Sequence, residues 1–134
     1  MSKIACKCGH IIVDQTDFVS YKGDIIPDVV QPSLFEKLST IIDSLMKAIE
    51  NGQREKWINE NFSDPYPMDL QYSSMVHDLF LGYYIDQTKK IYQCENCGRI
   101  LIQIGQSQQY SIFRPESDSW RNILGREKQI GNMQ

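Results

Sequence analysis

The chain has 134 residues, about one domain's worth, and can bury a sizeable core without leaning on disulfides. Its 41% hydrophobic and 23% charged residues are the balance of an ordinary globular protein, and no apolar run approaches the roughly 18 residues that span a bilayer. The net charge of −3 is unevenly spread: residues 14–86 hold thirteen acids and five bases, which argues against that stretch as a nucleic-acid surface, because phosphate contacts need a basic face.

Along the chain, Met1-Ser2-Lys3-Ile4-Ala5-Cys6 lacks the apolar core of a secretion signal, so the expected compartment is cytoplasmic, where thiols stay reduced. Lys3-Ile4-Ala5 is β-prone and leads into Cys6-Lys7-Cys8-Gly9-His10, after which Ile11-Ile12-Val13 starts a strand. Asp14-Gln15-Thr16-Asp17 and Tyr21-Lys22-Gly23-Asp24 read as turns, and Pro27 and Pro32 break any helix between them.

Ser33-Leu34-Phe35-Glu36 reads as a capping box. Leu34, Leu38, Ile41, Ile42, Leu45 and Ile49 then recur at helical spacing as far as the stop at Asn51-Gly52, an apolar stripe expected to pack on the sheet. A second helix is expected over Gln53 to Asn61, with Trp57 and Ile58 inward, before Pro65-Tyr66-Pro67. A third is expected over Asp69 to Leu81, burying Leu70, Met75, Val76, Leu79 and Phe80. Strands are expected at Tyr83-Tyr84-Ile85-Asp86, Lys90-Ile91-Tyr92, Arg99 to Ile104 and Gln109 to Arg114, with a turn at Gly105-Gln106-Ser107-Gln108. Ser117 or Ser119 caps a short helix through Trp120, Ile123 and Leu124, and Arg126 to Gln134 frays. The expected fold is α+β, one domain over 1–134: a small antiparallel sheet with hairpins at 3–13 and 90–104, and a mainly helical insertion over 32–82.

The four cysteines carry the chemistry. Cys8-Gly9-His10-Ile11-Ile12-Val13 matches Cys97-Gly98-Arg99-Ile100-Leu101-Ile102, a short internal repeat in which each copy is a turn with two thiols, Cys6 and Cys8 or Cys94 and Cys97. Zinc takes four ligands in a tetrahedron, and a tight turn offers two thiolates at that angle, so two turns close the shell. Glycine after the second cysteine permits positive φ, and such a turn aims backbone N–H groups at the sulfurs. The expected ligands are Cys6, Cys8, Cys94 and Cys97, holding a structural Zn²⁺ with no open position. Two disulfides need an oxidising compartment, an iron–sulfur site fits the glycine turns less well, and a redox Cys94–Cys97 pair lacks a thioredoxin-like surround.

Paired Cys-x-x-Cys-Gly knuckles followed by hydrophobic strands resemble the zinc ribbon group, over about residues 3–13 and 90–104. The second knuckle, Cys94 to Gly98, fits; the first has one residue between Cys6 and Cys8 instead of two, and His10 is near enough to replace either. Zinc ribbons serve enzymes, nucleic-acid binders and interaction modules, so the resemblance implies a metal and a local fold but no function.

Three functions remain. The acidic insert suits a basic protein partner met by charge complementarity, one version being an immunity protein or antitoxin that blocks a toxin; a solvated acidic surface accounts for the charge equally well. A nucleic-acid-associated ribbon would use Lys89, Lys90, Arg99, Arg114, Arg121 and Arg126 with Tyr92, Tyr110 and Phe113. An enzyme would need a cryptic acidic site around Asp14, Asp17, Asp24 and Asp28; with no nucleophile motif, phosphate loop or His-Glu metal motif, no enzyme is expected. Lys3, Lys7, Lys90 and Arg99 are expected to offset the −2 of a zinc held by four thiolates.

Overall fold

The computed structural model describes residues 2–15, 18–121 and 123–125. They form an α+β fold with two small antiparallel sheets and three helices. By its internal contacts the chain divides into two compact units, one of Met1–Ile25 with Lys89–Gln134 and one of Ile26–Thr88.

The first unit is built of strands. β1 (Ser2–Ala5) and β2 (Ile11–Asp14) form a hairpin with Ala5 opposite Ile11 and Lys3 opposite Val13. β3 (Lys22–Ile25), β4 (Lys89–Gln93), β5 (Ile100–Gln103) and β6 (Tyr110–Phe113) form a second sheet in that order. The strand β3 corrects the turn expected at Tyr21-Lys22-Gly23-Asp24. Gly23 lies opposite Ile91 and Asp24 opposite Lys90, so pairing with β4 overrides a locally turn-like composition. The expected single sheet is thus two, bound together by side chains. The Tyr21 hydroxyl donates to the Val13 carbonyl at 2.5 Å, the Tyr92 hydroxyl to Asp14 Oδ2 at 2.6 Å, and Lys22 Nζ lies 2.9 Å from the same carboxylate. Ile12, Tyr92 and Leu101 pack with Cys6 and Cys94 in the core of this unit.

The second unit is helical. After a single 3₁₀ turn over Asp28–Val30, α1 runs Gln31–Glu50, α2 Arg54–Asn61 and α3 Tyr72–Gln87. Between Pro27 and Pro32 only that short turn and the first residue of α1 form, and Pro32 itself sits in the first turn of α1, where an amide hydrogen is not needed. Ser33 is therefore inside the helix and its hydroxyl donates to the Val30 carbonyl at 2.7 Å, which corrects the expected capping box. Leu34, Ile41, Leu45 and Ala48 are the buried residues of α1, and Ile42 is exposed. Ile41, Leu45 and Ala48 pack with Trp57 and Ile58 of α2 and Met75 of α3, so the stripe expected to face the sheet finds its buried partners among helices. The Trp57 indole N–H donates to Ser44 Oγ at 3.0 Å, and the Arg54 guanidinium donates to the carbonyls of Met68 and Leu70.

α3 begins three residues later than expected and extends through Tyr83-Tyr84-Ile85-Asp86, read above as a strand. Those residues favour strands locally, but within the helix Phe80 and Tyr84 meet one turn apart, with ring centroids at 6.1 Å, and Lys37 of α1 sits over the Tyr83 ring at 5.5 Å. Thr88 closes α3, its amide and hydroxyl both donating to the Tyr84 carbonyl. Ser117 and Ser119 cap no helix among the described residues: the chain there turns and bends, with the Ser119 amide donating to Ser117 Oγ. Thr16, Asp17 and Arg126 to Gln134 lie outside the described residues.

Candidate metal centre

The two knuckles are the same turn made at two lengths. In the first, the Cys6 amide donates to the His10 carbonyl at 2.9 Å and the Gly9 amide to the Cys6 carbonyl at 3.0 Å. In the second, the Cys94 amide donates to the Arg99 carbonyl at 2.8 Å and the Gly98 amide to the Cys94 carbonyl at 2.9 Å. Each bond of the second spans one residue more, which absorbs the extra residue between Cys94 and Cys97. Gly9 has φ of 98° and Gly98 of 82°, a backbone that side-chain-bearing residues adopt only under strain.

These turns bring the four sulfurs together. Cys6 Sγ lies 3.6 Å from Cys97 Sγ and Cys8 Sγ 3.6 Å from Cys94 Sγ, and all four lie within 4.8 Å of one another. A zinc ion with four bonds of about 2.3 Å sets tetrahedral sulfurs about 3.8 Å apart. The same distances are far beyond the ~2.05 Å of a disulfide, and all four cysteines are free. The group can hold one metal ion, and zinc fits its donors and spacing. His10 is outside the group; it supplies its backbone to the turn.

The surroundings split the four thiols into two kinds. Burial pushes Cys94 up to about 12 and raises Cys6. Cys8, at the surface, is lowered to about 6, chiefly by the Asn96 amide at 3.4 Å and then by a backbone hydrogen bond from His10. Burial raises Cys97 too, but the Arg99 backbone and the Arg99 guanidinium, 3.2 Å from Cys97 Sγ, outweigh it and the net shift is downward. Near neutral pH Cys8 is therefore a thiolate, while burial holds Cys94 and Cys6 as thiols.

Of the expected basic neighbours, Arg99 serves the sulfurs directly, whereas Lys90 is held 2.7 Å from Asp24. Asn96 and Trp120 were missed. Asn96 was legible as the amide inside Cys-x-x-Cys; Trp120 lies 22 residues beyond Gly98 and was expected only in a short helix. Its ring covers the second turn so closely that a Cβ built on Gly98 would sit 2.6 Å from Trp120 Cγ, and its carbonyl accepts from the buried Gln93 side chain at 2.6 Å.

The other candidate groups do not assemble. Asp14 is bound to Lys22 and Tyr92, Asp24 is paired with Lys90, Asp28 lies in the 3₁₀ turn, and no second group of potential metal ligands occurs among the described residues. Tyr92, offered above as a base-stacking residue, is buried, with Tyr110 edge-on to it at 5.7 Å. Phe113 is exposed, Arg121 lies over the Trp120 ring, and Lys89 Nζ reaches the Gly105 carbonyl at 3.5 Å. No described helix is long and apolar enough to cross a membrane.

Fold and site together define an α+β protein with a four-cysteine group, able to hold a metal ion, that joins the two ends of its strand unit. The family model described as Domain of unknown function (DUF8617) matches residues 2–117, and the chain belongs to that family. No curated protein and no solved structure matches it.

Proposed function

We propose that the protein is a small cytoplasmic protein-binding module, stabilised by a structural zinc in a zinc ribbon-type site, whose acidic helical unit engages a basic protein. A version consistent with its size and charge is an immunity-type inhibitor that covers the basic cleft of a toxin. The observation that carries this reading is the separation of charge from metal. The helical unit, residues 26–88, holds ten acids and four bases, whereas the cysteines lie in the other unit. Four sulfurs leave an ion no open position, so the metal offers no Lewis-acid chemistry, and a structural role is the one left. The paired states of Asp14 and Asp24 and the burial of Tyr92 favour protein binding over catalysis or base stacking.

The test is to mix the zinc-loaded chain with the basic proteins encoded beside its own gene and follow complex formation by size exclusion at low and high salt. A complex at micromolar concentration that weakens with salt supports the reading. No complex with any of them, or salt-dependent binding to single-stranded RNA or DNA instead, would sink it.

A further inference from the structure

The helix α1 has two apolar rows, and only one is used by the core. At about 100° per residue, the buried row of Leu34, Ile41, Leu45 and Ala48 defines the inward side. Phe35, Ile42 and Met46 fall about 100° round from it and are 64%, 42% and 51% exposed. Ser44 at Trp57 and Lys37 at Tyr83 meet α2 and α3 from the opposite side of the inward row, and although Ile49 packs against the helical core from the nearer side, Phe35, Ile42 and Met46 are not among the residues packed there.

A third row gives the flank a sign. Glu36, Asp43 and Glu50 recur every seven residues and fall about 80° beyond the exposed apolar row. An acid thus repeats at the heptad interval beside an exposed apolar row. That pairing is the pattern of a helix that receives another helix.

We infer that this flank of α1 is the docking surface for a basic amphipathic helix of a partner protein. The inference rests on the reading of the acidic unit as a protein-binding surface and names the element, the face and the shape of the partner. Phe35, Ile42 and Met46 receive the partner's apolar row, and Glu36, Asp43 and Glu50 face a row of lysines or arginines. The strip from Phe35 to Glu50 is about 22 Å long, which a helix of about 15 residues matches. Charge selects this occupant over a second copy of the chain. In an antiparallel two-fold pairing of the flank the two acidic rows fall on the same side and repel. A neutral apolar helix forgoes the charge complementarity that fixes register. A strip this short makes a small interface, so binding of one isolated helix is expected on the order of micromolar.

The probe is a pair of synthetic helical peptides of about 16 residues, with leucines at helical spacing and a flanking row of lysines or, in the twin, of glutamates. Binding to the full chain purified with zinc is read by fluorescence anisotropy. The lysine peptide is expected to bind about tenfold or more tighter than its twin and to weaken with salt. Ile42→Ser with Met46→Ser should weaken it about tenfold, and Glu36→Gln with Asp43→Asn should narrow the gap between the twins. All four side chains change on an outward face, so unchanged melting and metal content are the folding control, and Phe35→Ala is an independent second probe. Equal binding of the twins, no binding of either, or binding that both sets of variants leave intact would overturn the inference. A parent dimer in sedimentation that Ile42→Ser disperses would reassign the flank to self-association. Failure here is separable from failure of the function proposed above: a basic protein that binds Ile42→Ser as well as the parent excludes this flank but keeps the acidic unit, whereas absence of any basic partner for the parent removes both.

Discussion

Replacing Cys94 by serine tests the metal centre where it is most deeply built in. Cys94 is fully buried, its sulfur stands 3.6 Å from that of Cys8, and those two residues are 86 positions apart in the chain. Loss of one thiolate removes a ligand and puts a hydroxyl into a site packed by Ile12, Tyr92 and Leu101. Structural zinc bound through cysteines is worth about 10–16 kcal/mol at neutral pH, a Kd of roughly 10⁻⁷ to 10⁻¹² M. With about 10 µM free zinc, the ion then stabilises the folded chain by about 3–9 kcal/mol. Native stability is itself only about 5–15 kcal/mol, so the variant forfeits a large share of it. For a unit of this size, 3 kcal/mol is a fall in Tm of more than about 10 °C. Calorimetry of parent and variant, with metal content measured by elemental analysis, reads both quantities, and a chelator added to the parent should reproduce the shift. If Cys94→Ser keeps the metal content and Tm of the parent, the four-cysteine centre is not what joins the ends of the chain.

Zinc loading near pH 7.5 should release fewer than four protons, because Cys8 is already a thiolate while Cys94 and Cys6 are held protonated; a pH indicator or titrations in buffers of different ionisation enthalpy count them, and four would refute the split. Affinity should accordingly rise at least about 100-fold per pH unit above pH 6, one factor of ten for each buried thiol, until those thiols titrate. Gly9→Ala, with open space for the new methyl, carries only the backbone strain of about 1–2 kcal/mol, whereas Gly98→Ala must also displace the Trp120 ring, adding about 1–3 kcal/mol and shifting tryptophan fluorescence. Tyr92→Phe should cost about 1–2 kcal/mol in urea unfolding by removing the hydroxyl donor to Asp14. Burial raises the Asp14 pKa, but Tyr92 and Lys22 outweigh it and leave the net value lowered, so its contribution is present above about pH 4 and is lost as pH falls through the folded pKa; the cost of Tyr92→Phe should shrink in acid. Met75→Ala, at a fully buried position of the helical core, should cost about 2–5 kcal/mol and leave metal content unchanged.

The sequence by itself determined the knuckles. Two cysteines, a glycine and a following apolar strand specify their turn within a few residues, and the repeat between Cys8 to Val13 and Cys97 to Ile102 revealed both turns even though one is a residue shorter. It also determined α2 and most of α1, where stops and apolar spacing agree. The tertiary structure decided the rest, because those choices depend on residues far away in the chain. Lys22–Ile25 is a strand because β4 pairs with it across more than sixty residues, against a turn-like Gly23-Asp24. Tyr83 to Asp86 is helix because its rings find partners at Phe80 and Lys37, which no count of β-prone residues registers. Periodicity marked Ile41, Ile42 and Leu45 alike as one apolar stripe. Only the packing of α2 and α3 against α1 decided which of them is core and which remains at the surface.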